Sequence, residues 1–176
     1  FALSFAMALA LAGSAHPQEK VRLRYGTTMS FHNLPAWLAK SAGIFEKNGL
    51  DVTMIYVDGG SKATQALMSG DVPIAQVGAN APVVARLRGA DVTLIAGLLN
   101  VLAYSMIVSP EIKKPEDLKG KKLSVSRFGS NSDYATRKIL LKWGLKPDID
   151  VAVLQIPGGQ PARMTAIQFK VVHGMV

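Results

Sequence analysis

Two hydrophobic periods alternate along the first half of this chain, one typical of strands and the other of helices. Residues 21–26 alternate apolar with polar and stop at a glycine, which predicts a strand that enters a turn. Similar patterns predict further strands at 50–57, 72–77 and 92–98, and helices at 34–40, 61–68 and 81–88. We expect Gly43 to end the first helix and Ser61 and Asn80 to cap the other two. This alternation indicates the α/β class, with a mostly parallel sheet covered by helices.

The pattern changes near residue 103 and then restarts. A strand predicted at 103–108 is followed by a polar stretch at 111–121. Beyond it the sequence predicts strands at 122–126 and 151–156, helices at 132–143 and 161–169, and a final apolar run at 171–176. We therefore expect a first lobe over 20–102 and a second lobe over 103–176.

Residues 1–15 are uncharged and almost wholly apolar or small, and a polar stretch follows them at once. An export signal has this profile, whereas a membrane-spanning helix needs about 20 apolar residues. We expect a signal peptide over 1–15 whose basic n-region is missing; the alternative is a buried N-terminal helix. The sequence has no cysteine, so it offers no disulfide, no thiolate metal site and no lipid-attachment cysteine. Export without a lipid anchor predicts a soluble periplasmic protein.

The formal charge of +8 comes from 20 basic and 12 acidic residues. One basic cluster stands out, over residues 113–122, and no aromatic residues interleave with it as they do in single-strand nucleic-acid sites. We interpret the cluster as a solvated turn and expect no nucleic-acid partner. The charge mildly favours an anionic ligand.

Small or hydrogen-bonding residues follow the predicted strands. In open parallel sheets ligands bind beyond the carboxyl ends of the strands, where helix N-termini present free backbone N–H groups. The candidate ligand-binding residues there are Thr27, Thr28, Ser30, His32, Gly59, Gly60, Ser61, Gly78, Asn80, Gly129, Ser130 and Asn131. Glycines allow close approach, and hydroxyls and amides can hold an oxyanion without a full charge. The alternative is that these residues are ordinary caps and turns.

Ser105 is a further candidate ligand-binding residue, and three others deserve mention with it. Tyr104 and Ser105 stand near the crossover between the lobes, by the hinge or the cleft. Arg127 and Arg163 are candidate charge partners for an anion, although most arginines in this context are surface residues. His32 is interpreted as a polar residue at the rim of the site and not as a catalyst.

Several short motifs occur in a fixed order: Pro35-Ala36-Trp37-Leu38-Ala39 with the stretch at 43–50, Gly59-Gly60-Ser61 with 66–72, then 115–122, 129–133 and 144–147. In this order the chain resembles the substrate-binding proteins of bacterial ABC importers for alkanesulfonates, taurine, nitrate and thiamine-pyrimidine precursors. The resemblance implies a type II periplasmic-binding-protein-like fold of two α/β lobes, with the ligand held between them and handed to a membrane permease. It also implies a monomer, closure of the lobes on the ligand, and a second lobe truncated at the C-terminus. His173 stands where relatives usually carry an acidic residue.

Two other classes of protein fit the sequence less well. An enzyme is not expected, because the sequence has no phosphate-binding loop, no Gly-x-Ser-x-Gly elbow and no His-Glu-x-x-His helix. Its three histidines are too dispersed to predict a metal, and no cofactor is expected. Fungal thiamine-pyrimidine synthases resemble the same fold but carry a cysteine-rich motif. A ligand-sensing regulatory domain would follow a helix-turn-helix, and an apolar signal occupies that position here.

Overall fold

The computed structural model describes residues 19–176, so the predicted signal peptide lies outside the described residues. Its first sheet contains three parallel strands in the order β2-β1-β3. They are β1 (Val21–Thr27), β2 (Leu50–Tyr56) and β3 (Ile74–Gln76). All three strands were predicted from the alternation and are confirmed. Because they are parallel, their carboxyl ends meet at one edge of the sheet.

Four helices accompany this sheet: α1 (Leu34–Ser41), α2 (Ile44–Lys47), α3 (Gly60–Met68) and α4 (Asn80–Leu87). Gly43 follows α1 with a φ of 67°, so the predicted helix end is confirmed. Both predicted caps are wrong. Ser61 lies inside α3, whose N-cap is Gly59, and Asn80 is the first residue of α4, with its side chain bonded to another loop.

The second sheet has the strand order β4-β7-β5-β6. Its strands are β4 (Ile107–Val108), β5 (Lys122–Val125), β6 (Ala152–Gln155) and β7 (Gly174–Met175), and its helices are α5 (Asn131–Lys142) and α6 (Gly159–Gln168). β5 is parallel to both of its neighbours, whereas β4 runs antiparallel to β7. The predicted α/β class with mostly parallel sheets is confirmed.

The second sheet carries the larger apolar core. The cluster of buried side chains consists of Ile112, Leu118, Leu123, Val125, Leu140, Leu145, Val151 and Val153. Full burial of a side chain of this size contributes roughly 1.5–3 kcal/mol. This core fixes the loops that follow β5 and β6.

One stretch departs from its prediction. Residues 88–106 contain no helix and no strand, so the strand predicted at 92–98 is wrong, and only Ile107–Val108 remains of the strand predicted at 103–108. Leu94, Ile95 and Leu98 are exposed. An apolar run becomes a strand only where another strand accepts its backbone hydrogen bonds, and in the described chain β3 pairs with β1 alone. The lobe boundary predicted at residue 103 falls in this stretch and stays a prediction.

Candidate functional site

Loops from the two sheets meet and hydrogen-bond to each other. The hydroxyl of Ser61, in the first turn of α3, donates to the carbonyl of Phe128 at 2.9 Å. At the start of α4 the side-chain amide of Asn80 donates to the carbonyl of Gly129 at 2.8 Å, and its backbone N–H donates to Oδ1 of Asn131 at 3.2 Å. The loops after β2, β3 and β5 thus share one cleft, in which four of the candidate positions, Ser61, Asn80, Gly129 and Asn131, form these contacts.

Glycine at two candidate positions allows this approach. A Cβ at Gly78 would lie 2.1 Å from Nδ2 of Asn131, and a Cβ at Gly59 would lie 3.0 Å from Cγ of Arg127. Gly59 also has a φ of 87°, which side chains rarely adopt. Gly60 differs from both, because a Cβ there would meet nothing within 4 Å.

The loop after β1 is held mainly by its own side chains. Thr27 is fully buried, and its hydroxyl donates to the carbonyl of Thr28 at 3.3 Å. The side-chain amide of Asn33 donates to the carbonyl and the hydroxyl of Thr28, at 2.8 and 2.9 Å. Oγ of Ser30 and Nδ1 of His32 are 3.2 Å apart. The polar groups of this loop therefore fix its shape.

Tyr104, in the irregular stretch at 88–106, lies close to the loops after β1 and β5. The His32 ring meets the Tyr104 ring edge-on, with 6.4 Å between their centroids. Burial raises the pKa of Tyr104, while a hydrogen bond from Asn131 opposes that rise. Ser105, the neighbouring candidate, is exposed. Tyr104 thus joins the candidate residues of both sheets.

Ser130 has a structural task at the start of α5. It is buried, and its hydroxyl accepts the backbone N–H of Asp133 at 3.4 Å as the N-cap of the helix. The hydroxyls of Ser126 and Ser132 lie 3.1 and 3.0 Å from it. This buried group of hydroxyls supports the loop that carries Gly129 and Asn131.

Charged groups also meet in the cleft. Nη2 of Arg127 donates to Oδ2 of Asp58 at 3.0 Å, and this ion pair joins the loop after β5 to the loop after β2. Arg163 in α6 is only 5% exposed, so its interpretation as a surface residue is wrong. Burial lowers the pKa of Arg163, and the charges of Asp58, Tyr104 and Tyr56 oppose that decrease.

Three buried N–H groups of these arginines lack hydrogen-bond partners within residues 19–176: Nε of Arg127, and Nε and Nη1 of Arg163. Buried polar groups are normally hydrogen-bonded, so such donors indicate a place for another molecule. The spacing of residues in α6 already indicated the burial of Arg163. Arg163 stands three residues before Ala166 and four before Ile167, which places it on the half-buried apolar face of α6.

An open cavity of about 430 Å³ lies between the segment after β1 and the start of α6. It is lined by Met29, Ser30, Phe31, Leu34, Trp37 and Gln160. The first five belong to the segment after β1 and the last to α6, so both sheets contribute. Of these, only Ser30 was a candidate, although the spacing of Leu34 and Trp37 in α1 indicated a shared face.

The part of the chain that the structure describes shows neither a membrane span nor a metal cluster. None of its helices has the length and hydrophobicity needed to span a membrane. Nor do residues 19–176 contain a group of three histidine, cysteine or acidic side chains placed to hold a metal ion.

Comparison with known proteins gives consistent matches. A protein-family model described as NMT1/THI5 like matches residues 30–171. A taurine-binding periplasmic protein of Escherichia coli (strain K12) is 35% identical over 127 residues, which are 70% of this chain and 39% of that protein. A 4-amino-5-hydroxymethyl-2-methylpyrimidine phosphate synthase, THI11 of Saccharomyces cerevisiae, is 30% identical over 127 residues, or 69% of this chain and 36% of the synthase.

A solved structure shares the fold. The alkanesulfonate-binding protein SsuA from Xanthomonas axonopodis pv. citri, bound to MOPS, matches with a TM-score of 0.69 and 23% identity, over 89% of this chain and 54% of that one. The chain therefore spans about half of that structure, and about two fifths of the length of the two curated relatives above.

Proposed function

The chain belongs to the NMT1/THI5-like family, and on that premise we propose that it is the solute-binding component of an ABC importer. It captures a small anion, such as a sulfonate or nitrate, between two lobes outside the cytoplasmic membrane and delivers it to the permease. The names of the relatives support this proposal, since one binds taurine in the periplasm and another is an alkanesulfonate-binding protein.

The observation that carries the proposal is the cleft shared by the two sheets. Ser61 and Asn80 from the first sheet bond to the loop after β5, and the open cavity has walls from both sheets. A volume of about 430 Å³ lies within the usual range of small-molecule sites. A solute held there contacts both halves and stabilises their closed arrangement, which a permease can recognise.

The candidate residues divide into two proposed roles. Those at the cavity, or in the contacts within and between the loops around it, contact the solute or close around it: Ser30, His32, Gly59, Ser61, Gly78, Asn80, Gly129 and Asn131. Gly60 stays a candidate without such a contact, since a Cβ there would meet nothing within 4 Å. Thr27, Thr28 and Ser130 are held within their own loops, and we assign them the role of supports. Ser105 stays a weaker candidate because it is exposed and its position is fixed by no helix or strand.

A binding protein releases its ligand unchanged, whereas an enzyme converts it, so the two functions can be told apart by experiment. A thermal-shift screen of the purified chain against sulfonates, nitrate, aromatic acids and pyrimidines reports any ligand that prefers the folded state. A free ligand concentration of 100 Kd raises the free energy of unfolding by about 2.7 kcal/mol. We expect at least one anion to raise the melting temperature and to be recovered unchanged by mass spectrometry. A chemically altered compound, or stabilisation by pyrimidines alone, would contradict the proposal.

The synthase relatives support the alternative that the chain is an enzyme, because they share 30% identity with it. The 176 residues contain no cysteine, whereas the resemblance implies a cysteine-rich motif in those enzymes. We therefore propose a binding role for this chain, acting as a monomer with no nucleic-acid partner. Size-exclusion chromatography of the purified chain tests the monomer.

A further inference from the structure

Within residues 19–176 the buried guanidinium of Arg163 forms no ion pair. Asp58 pairs with Arg127 at 3.0 Å, and within residues 19–176 no carboxylate lies in ion-pair distance of Arg163. A buried, unpaired guanidinium is costly, because neither water nor a partner replaces its lost hydration. With one carboxylate between two guanidinium groups, the cleft has room for one more negative charge.

The unused donors can serve an oxyanion. Nε and Nη1 of Arg163 are both buried and unpartnered within residues 19–176, and they lie on different edges of the planar guanidinium, because Nη1 stands on the side of Cδ. Each can therefore donate its own charge-assisted hydrogen bond to a carboxylate or sulfonate oxygen. Such bonds are short and strong.

The apolar cavity begins one helical turn away. Gln160, which lines the cavity, precedes Arg163 by three residues on α6, and side chains at this spacing have Cβ atoms about 5–6 Å apart. Across from Gln160 the wall is apolar and aromatic and includes Phe31, Leu34 and Trp37. Phe31 is 81% exposed and Trp37 38% exposed, so much of this surface is available to a ligand.

We infer that Arg163 anchors the acidic group of an organic monoanion whose apolar or aromatic part fills the cavity lined by Phe31, Leu34 and Trp37. This inference rests on the proposed function and narrows its ligand. A bare inorganic oxyanion such as nitrate leaves the cavity empty. A zwitterion such as taurine brings an ammonium group, and the nearby carboxylate of Asp58 is already paired with Arg127. The order of affinity is therefore an arylsulfonate first, with taurine and nitrate well below.

Isothermal titration calorimetry with benzenesulfonate, taurine and nitrate tests this order on the whole chain. Arg163→Met removes the charge but keeps the length of the side chain. We expect it to weaken benzenesulfonate binding by about 10- to 100-fold, as for loss of charge-assisted hydrogen bonds. Arg88→Met is the matched control, because it removes one positive charge from an exposed position at the end of α4 and should leave affinity unchanged. Trp37→Ala should weaken benzenesulfonate binding and leave nitrate binding as it was.

A second variant distinguishes a loss of binding from a loss of folding. Gln160→Glu keeps Arg163 and places a negative charge beside it on an exposed part of α6, so it too should weaken benzenesulfonate binding. Equal affinity of wild type and both variants for benzenesulfonate overturns the inference and leaves the proposed function intact. Nitrate or taurine binding as tightly as benzenesulfonate also overturns it. If the wild type binds no member of the broader anion and pyrimidine screen, the proposed function itself fails.

Discussion

The backbone N–H of Asn80 donates to Oδ1 of Asn131 at 3.2 Å, although 51 residues separate the two along the chain. One asparagine begins α4 beside the first sheet, and the other begins α5 beside the second. Their contact places two helix N-termini side by side at the mouth of the cleft.

Gly78→Ala should break this contact. The new Cβ would lie 2.1 Å from Nδ2 and 2.2 Å from Cγ of Asn131, so the whole amide has to move and its bond to Asn80 is lost. We expect a loss of about 1–2 kcal/mol in the free energy of unfolding, measured by urea denaturation. Gly60→Ala is the control, since a Cβ there meets nothing within 4 Å and lies in the first turn of α3. Equal stability of the two variants would contradict the close approach.

The Asp58–Arg127 ion pair should couple the two sheets energetically. The side chains are 18% and 25% exposed, so solvent screens the pair less than an ordinary surface pair. A double-mutant cycle with Asp58→Asn and Arg127→Met isolates the interaction, and we expect a coupling energy of about 1 kcal/mol. The same cycle on the exposed Arg86–Asp91 pair should give a value near zero. Equal coupling in the two cycles would show that Asp58–Arg127 contributes no more than a surface contact.

Much of this fold follows from local pattern, and the failures have a shared cause. β1, β2, β5 and β6 were predictable because alternation and glycine breaks are properties of neighbouring residues. The strand expected at 92–98 is absent because a strand depends on a partner that the local sequence does not specify.

The candidate site also has a part that the sequence predicts and a part that it does not. Topology alone predicts that loops after parallel strands meet, and the loops carrying Ser61, Asn80 and Asn131 do so. The burial of Arg163 and its missing partners depend on how two distant segments pack. From the sequence, Arg163 was only a candidate charge partner, although its spacing to Ala166 placed it on the apolar face of α6.

The ends of α5 and α6 offer a reciprocal test of backbone strain. Gly144 follows α5 with a φ of 73°, and Lys170 takes the same place after α6 with a φ of 57°. The left-handed conformation costs a residue with a side chain roughly 1–2 kcal/mol. Lys170→Gly should therefore raise the free energy of unfolding by about 0.5–1 kcal/mol, and Gly144→Lys should lower it by about 1 kcal/mol, both measured by urea denaturation. Shifts of the same sign in both variants would contradict this account.

Asp117 should contribute to the acid sensitivity of the fold. Its carboxylate accepts the backbone N–H groups of Lys113 and Lys114 at 2.9 and 3.1 Å, and these hydrogen bonds hold its pKa below the ordinary value of 3.8. A carboxyl group with a lowered folded-state pKa stabilises the fold above its unfolded pKa, and that stabilisation is lost as the pH falls through the folded value. Asp117→Asn should therefore lower the melting temperature at neutral pH and reduce its decline between about pH 5 and pH 2. Asp71→Asn, at an exposed carboxylate near the end of α3, is the matched control and should leave the acid slope unchanged. An unaltered slope in Asp117→Asn would show that these backbone bonds do not favour the ionised carboxylate.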